Sequence, residues 1–359
     1  MKFVMDKIQL SNRKTIFSGI VLKSSSNAYF RSFYNCYWLR GISIGLLVFQ
    51  LFACNSSDEI KAPKGFMNET TLKIAYVTGL LKLIDAEPPV PESLSFYEDI
   101  VYKQTPEKEL KLDIYHLDSL QEPQPLLVFI HGGSWKSGNK DDYRRYLVDF
   151  AEKGYVTASL SYRFAQDAPF PAAFDDVVCG LSWLRQHAEE YMIDADHIAV
   201  VGGSAGGHLA MMLGYHSYDS TYHRSEDCEY GADQRIQAIV NFYGPTDLTT
   251  EYARNHPSVF KFIGQEYSED NHSLFAAASP LEFVSEDDPP TLTFHGTLDD
   301  LVPVSQADRL HEALEESGVP SEYHRLKGWP HTMDLSLKVN RFCQYQMDAF
   351  FEKYLREGE

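Results

Sequence analysis

Ser204 lies in the run Val200-Val201-Gly202-Gly203-Ser204-Ala205-Gly206-Gly207-His208. This is a Gly-x-Ser-x-Gly pentapeptide between an apolar strand pattern at 198–201 and an apolar helical pattern. A serine on a sharp strand-to-helix turn sits in a strained backbone, and flanking glycines let neighbouring segments approach closely. The helix that follows aims its first amides at the same point, which favours a developing negative charge. Such a serine is placed to attack a carbonyl. The pentapeptide alone does not decide the matter, because glycine-rich turns between strand and helix also cradle nucleotide phosphates.

Three further loops supply what a serine nucleophile lacks. His131-Gly132-Gly133-Ser134-Trp135 follows the apolar run 126–130. Its free amides, Gly133 and Ser134 foremost, together with that of Ala205, are candidates for an oxyanion hole. His295-Gly296-Thr297-Leu298-Asp299 follows the apolar run 291–294 and puts a carboxylate on a strand-end loop. Gly328-Trp329-Pro330-His331 follows 323–326 and supplies an imidazole. Ser204 would be the nucleophile, His331 the general base and then acid, and Asp299 the group that orients it. The chain has 13 histidines, so position matters more than type. His324 lies inside a strand pattern and His208 on the helix after the elbow, and both read as structural. His295 precedes a tight turn and reads as satisfying backbone groups. Asp300 is adjacent to Asp299, and Asp247 ends another strand-end loop, so both are alternative acids.

The order Ser204, Asp299, His331 is that of α/β-hydrolases. With Phe242-Tyr243-Gly244-Pro245-Thr246-Asp247 added, the motifs stand in the expected sequence. The chain resembles an α/β-hydrolase esterase, of the branch related to hormone-sensitive lipase and to bacterial acetylxylan and feruloyl esterases. The resemblance runs from about Phe96 to about Leu355. It implies Asp299 as the acid, through the pattern His-Gly-Thr-x-Asp-x-x-Val-Pro, although some α/β-hydrolases carry their acid where Asp247 stands. Ser134 occupies the place of a third glycine in relatives of hormone-sensitive lipase, which keeps the amide and narrows the acyl site. Trp135 and Trp329 flank the catalytic loops, as substrate-pocket walls or as packing groups.

The elements that must position these loops alternate. Strand patterns at 99–103, 110–116, 126–130, 157–162, 197–201, 238–242, 291–294 and 322–326 are separated by helical patterns at 141–153, 172–191, 205–215, 306–317 and 335–354. This predicts an α/β fold with a mostly parallel, eight-stranded sheet and helices on both faces. The alternation breaks at a polar loop, 217–235, and at a helical insertion, 248–279, which is a candidate lid. Segments after strand C-termini build the pocket in such folds, so substrate choice rests on the least readable stretches. An apolar stretch, 72–84, reads as helical and is a second candidate cover.

The first 54 residues read as a lipoprotein-type signal segment. Residues 41–53 are uncharged and apolar, too short to span a bilayer and suited to a signal peptide. They end Leu51-Phe52-Ala53-Cys54, which resembles a lipoprotein processing site with Cys54 lipidated. Residues 55–70 read as a linker and 71–359 as the catalytic domain. About 40 residues ahead of the apolar stretch is long for a signal, which suggests a true start further downstream. Of five cysteines, Cys179, Cys228 and Cys343 fall in the catalytic domain. That is no full disulfide framework, and Cys179 and Cys343 read as small buried hydrophobes. No spacing suggests a metal, and the triad needs no cofactor.

The formal charge is −19, and the first 53 residues hold seven of the 32 Lys/Arg, so the remainder is more acidic still. Such a surface repels nucleic acid and has no general attraction for an anionic membrane. The expected activity is release of short acyl groups, acetyl or feruloyl, from an ester, with acylated polysaccharide as the substrate the resemblance implies. A lipase for longer chains, an arylformamidase-like amidase and a silent binding module are the alternatives. Membrane contact is expected only through the lipid anchor, at the outer membrane or cell surface, or else a periplasmic or secreted form.

Overall fold

Strand residues alternate between two apolar faces, and helices cover both. In the computed structural model, which describes residues 60–216, 228 and 235–356, eight strands form one sheet. They are β1 (Leu94–Gln104), β2 (Glu109–Leu117), β3 (Gln124–Ile130), β4 (Val156–Leu160), β5 (Ile193–Gly203), β6 (Ala238–Phe242), β7 (Thr291–Gly296) and β8 (Ser321–Leu326). Their order is β1-β2-β4-β3-β5-β6-β7-β8. β1 and β4 each pair antiparallel with β2, and the other neighbours are parallel.

Period-two alternation builds a core on each face. Leu126, Val128 and Ile130 of β3, with Ile198 and Val200 of β5, meet α3 (Ala172–Gln186), α4 (Ala205–Tyr215) and α8 (Ser305–Glu316). Leu127, Phe129, Ala199 and Val201 point the other way, toward α2 (Arg144–Ala151) and α9 (Leu337–Phe351). Three short helices, α5 (Glu251–Arg254), α6 (Pro257–Ile263) and α7 (His272–Ala277), fill the insertion between β6 and β7. Parallel pairing brings the C-terminal ends together: Ile130 is opposite Gly202, and Gly296 is opposite Leu326. The loops that follow β3, β5, β7 and β8 therefore open on one edge of the sheet.

Five expectations need correction. The apolar stretch 72–84 is helical only as α1 (Glu69–Val77), where Asn68 caps the start, and residues 81–84 continue as extended chain. The helix expected over 172–191 stops at Gln186, and 141–153 begins as a single 3-10 turn, Lys140–Tyr143. Cys179 is not a free apolar filler, because it is disulfide-bonded to Cys228 with Cα atoms 5.7 Å apart; Cys343 is free and buried. Residues 60–66 are no free linker, since their backbone is hydrogen-bonded to the loop that carries His331. The signal segment with Cys54 lies outside the described residues, as does most of the 217–235 loop. No helix among the described residues is long and apolar enough to cross a membrane.

Candidate active site

The turn from β5 into α4 forces Ser204 into an unusual backbone state, φ 55° and ψ −120°. A side chain held there is thrown clear of both elements. The Ser204 amide donates to the Phe242 carbonyl at 2.8 Å, which anchors the elbow to β6. Gly206 has no room for a side chain, since a Cβ would run into the Ile130 carbonyl at the end of β3. That contact draws the elbow against the His131 loop.

Three side chains from three loops meet at the elbow. His331 Nε2 is 3.0 Å from Ser204 Oγ, and His331 Nδ1 is 2.6 Å from Asp299 Oδ2. His331 is 3% exposed and the Asp299 carboxylate is fully buried. Asp299 Oδ1 accepts from the amides of Leu301 (3.0 Å) and Val302 (2.9 Å), so the carboxylate is fixed from both sides. Burial opposes ionisation of Asp299, but hydrogen bonds from His295 and His331 outweigh it and hold the carboxyl well below the usual carboxylate range. The arrangement keeps one nitrogen of His331 protonated toward Asp299 and leaves the other to accept a proton from Ser204.

The loop after β3 is folded to present amides. Gly133 has φ 112°, and Ser134 and Trp135 have φ 55° and 54°. The Gly133 carbonyl is turned away, accepting from the Lys136 amide (3.2 Å) and Ser137 Oγ (3.2 Å). His131 is buried, and burial lowers it to about 4, so it stays neutral; its Nδ1 lies 2.8 Å from the Gly132 carbonyl. Among the described residues, none of the amides of Gly133, Ser134 and Ala205 donates to a protein acceptor. Free amides from one loop and one helix N-terminus, beside a buried Ser–His–Asp relay, suit a carbonyl that becomes an oxyanion.

The alternative acids fall elsewhere. Asp247 Oδ2 pairs with Arg309 at 2.6 Å and its Oδ1 caps Thr249, so it closes the loop after β6 and does not touch His331. Asp300 is exposed. The expectation that Trp135 and Trp329 face the substrate is corrected. Trp135 is 3% exposed and stacks flat on Phe262 of α6, centroids 4.4 Å apart. Trp329 is 1% exposed, and its Nε1 donates to the Pro63 carbonyl at 2.9 Å. Both rings have found packing partners, so neither offers an open face. His208 Nε2 donates to the Ala278 carbonyl, just after α7, at 2.7 Å, and His324 stacks on Phe294.

Two supports were not visible in the residue pattern. His295 Nε2 bonds the Val302 carbonyl at 2.9 Å, as a backbone-satisfying histidine should, and also lies 3.3 Å from Asp299 Oδ2. Tyr243 packs its ring 4.4 Å from His331 and donates its hydroxyl to the buried Asp334. Burial pushes the Asp334 carboxyl up. The spacing of His295 from Asp299 within one turn could have suggested the first support. Tyr243 and Asp334 are 91 residues apart, and nothing local signals their meeting. Among the described residues no three His, Cys, Asp or Glu side chains gather as a metal site.

The profile of the BD-FAE family matches residues 112–314. The chain is 34% identical over 233 residues to the probable carboxylic ester hydrolase LipM of Mycobacterium tuberculosis, covering 61% of this chain and 53% of LipM. It is 28% identical over 295 residues to esterase LipQ of the same organism, covering 80% and 68%. The chain thus spans about half the length of LipM and two thirds that of LipQ. Among solved structures it resembles a bifunctional GH43-CE protein of Bacteroides eggerthii (28% identity, TM-score 0.65, 72% of this chain and 38% of that one). It also resembles a thermophilic esterase of Thermogutta terrifontis (25% identity, TM-score 0.63, 78% and 99%). The chain has the α/β-hydrolase fold and belongs to the BD-FAE family.

Proposed function

We propose that this chain is a serine carboxylester hydrolase that removes short acyl groups, acetyl or feruloyl, from an acylated polysaccharide. One observation carries the reading: Ser204, His331 and Asp299 stand in hydrogen-bonded series, 3.0 and 2.6 Å apart, beside three amides that donate to no acceptor among the described residues. Ser204 Oγ attacks the ester carbonyl while His331 Nε2 takes its proton. The amides of Ala205, Gly133 and Ser134 hold the oxyanion; loss of one such donor costs about 2.7–4 kcal/mol in the transition state. His331 then gives the proton to the departing alkoxide, leaving an acyl-enzyme. A water attacks the acyl carbonyl while His331 Nε2 takes its proton; His331 then returns that proton to Ser204 Oγ as the acyl bond breaks, and the acid is released.

Support for the ester comes from relatives named as esterases or carboxylic ester hydrolases. Support for a short acyl group comes from the crowded oxyanion loop, where Ser134 carries a side chain and Trp135 is locked against Phe262. Structures of the Thermogutta esterase are described as bound to propionate and to butyrate. Support for a carbohydrate ester is the likeness to the GH43-CE protein, together with the expected export. The test is hydrolysis of p-nitrophenyl esters from acetate to palmitate, with acetylated and feruloylated xylan alongside, by wild type and Ser204→Ala. Activity falling steeply beyond butyrate, acid release from xylan and its loss in Ser204→Ala are expected. A maximum at long chains would make it a lipase.

We also propose export, with lipid attachment at Cys54. The apolar stretch ending at Ala53 supports this, and so does the Cys179–Cys228 disulfide, a bond that persists in oxidising compartments. Mass spectrometry of the mature N-terminus should find a lipidated Cys54. A free, uncleaved N-terminus would contradict it.

A further inference from the structure

The loop between β8 and α9 carries His331, and the segment ahead of β1 grips it on both sides. Before His331, the Phe66 amide donates to the Gly328 carbonyl at 2.7 Å, and Trp329 Nε1 donates to the Pro63 carbonyl at 2.9 Å. The Phe66 ring meets the Trp329 indole edge-on, centroids 5.4 Å apart. Lys338 Nζ donates to the Lys64 carbonyl at 2.9 Å and lies over the same indole. After His331, the Ile84 amide donates to the Leu335 carbonyl and the Leu337 amide to the Lys82 carbonyl, each at 2.9 Å.

The approach is close enough to dictate residue type. A Cβ on Gly65 would collide with the Gly328 carbonyl group, and one on Gly328, at φ 78°, would collide with the Phe66 backbone. A passing tether requires no glycine on either side of a contact. Trp329 is held from the opposite direction as well, since its carbonyl accepts from the Leu298 amide at 2.8 Å, one residue before Asp299. It therefore sits between the strap and the loop of the acid, two residues before the base.

We propose that residues 63–66 form a positioning strap: by fixing Trp329, they set where His331 stands relative to Ser204 and Asp299. The inference rests on the reading of His331 as general base and acid. Misplacing the base by about 1 Å can cost on the order of 100-fold in rate. The loss should depend on the leaving group. An alkoxide needs the proton from His331, whereas p-nitrophenolate leaves without one.

The experiment compares full-length wild type, Gly65→Ala, Trp329→Phe, His331→Ala and, as a control, Lys61→Ala. Each is assayed on p-nitrophenyl acetate and on an alkyl acetate, with melting temperatures measured in parallel. Gly65→Ala should lose about 10- to 100-fold in kcat on the alkyl ester, clearly less on the nitrophenyl ester, with KM held within about twofold. Trp329→Phe keeps an aromatic side chain but loses the bond to Pro63 and part of the packing against Phe66 and Lys338, so it should shift the same way by less, and it decides the matter if Gly65→Ala does not fold. Lys61→Ala should match wild type. Equal losses on both esters that track melting temperature would overturn the strap, as would wild-type kinetics in folded Gly65→Ala and Trp329→Phe. Hydrolysis surviving in His331→Ala would instead overturn the reading of the base.

Discussion

His295 and Asp299 face one another across a single tight turn, and His295 Nε2 lies 3.3 Å from the Asp299 oxygen that also meets His331 Nδ1 at 2.6 Å. One carboxylate oxygen thus serves two imidazoles, while the other is occupied by two backbone amides. The acid is held by its own turn as much as by its partner in the relay. An account confined to Ser204, His331 and Asp299 omits the group that keeps the third of them in place.

Replacing His295 should therefore weaken the site without emptying it. A hydrogen bond to a charged group contributes about 1.5–3 kcal/mol. His295→Phe fills the same space, removes that donor and leaves the Val302 carbonyl unpaired. Steady-state kinetics should show kcat lower by about tenfold or more, with KM little changed, and calorimetry a lower melting temperature. Wild-type kcat would show that the 3.3 Å approach carries nothing.

Asp299→Asn should cost far more, about 10,000-fold in kcat, because the carboxylate fixes the tautomer of His331 and stabilises its cation. The same change carries a pH signature. The folded carboxyl is held below its unfolded value of about 3.9 by His295 and His331. Its stabilising contribution is therefore complete above that unfolded value and is lost only as pH falls through the lower folded one. The melting-temperature gap between wild type and Asp299→Asn should stay constant from about pH 8 to pH 5 and close below about pH 4. A gap that widens in acid would contradict the assignment.

Asp247→Asn separates structure from chemistry. Its carboxylate, 1% exposed, is paired with Arg309 and caps Thr249. Loss of the charge should lower stability by about 1–3 kcal/mol in denaturant titration and leave kcat/KM on p-nitrophenyl acetate within about threefold. A collapse of kcat in a folded variant would restore Asp247 as the acid.

Cys179→Ser should behave in the same way. The bridge to Cys228 closes a loop of 49 residues, worth about 4 kcal/mol in a chain-entropy account. Reduced wild type and Cys179→Ser should melt together, well below the oxidised protein, with kcat unchanged at low temperature. Equal melting of all three would show that the bond does not constrain the unfolded chain.

Legibility in the residue pattern followed the range of the interactions. Ser204, Asp299 and His331 could be named because each follows a strand and sits in a turn whose glycines and prolines are local signals. The five central strands, β3 to β7, were visible through apolar runs that only a sheet covered on both faces can bury. Cys228 could not be matched to Cys179 from a polar loop far along the chain. Trp329 was left between pocket wall and packing group because a tryptophan beside a catalytic loop can serve as either, and only the fold shows that the indole N–H turns to Pro63. The strap was missed because Pro63-Lys64-Gly65-Phe66 has no periodicity, and its partners lie more than 250 positions away.

The most direct test of the central claim is titration of the folded protein with an organophosphonate, read by p-nitrophenyl acetate hydrolysis and by peptide mass spectrometry. The account predicts one adduct per chain, on Ser204, with activity lost in proportion to its formation and no adduct in Ser204→Ala. An unlabelled Ser204 in active enzyme, or hydrolysis that persists in Ser204→Ala, would contradict it.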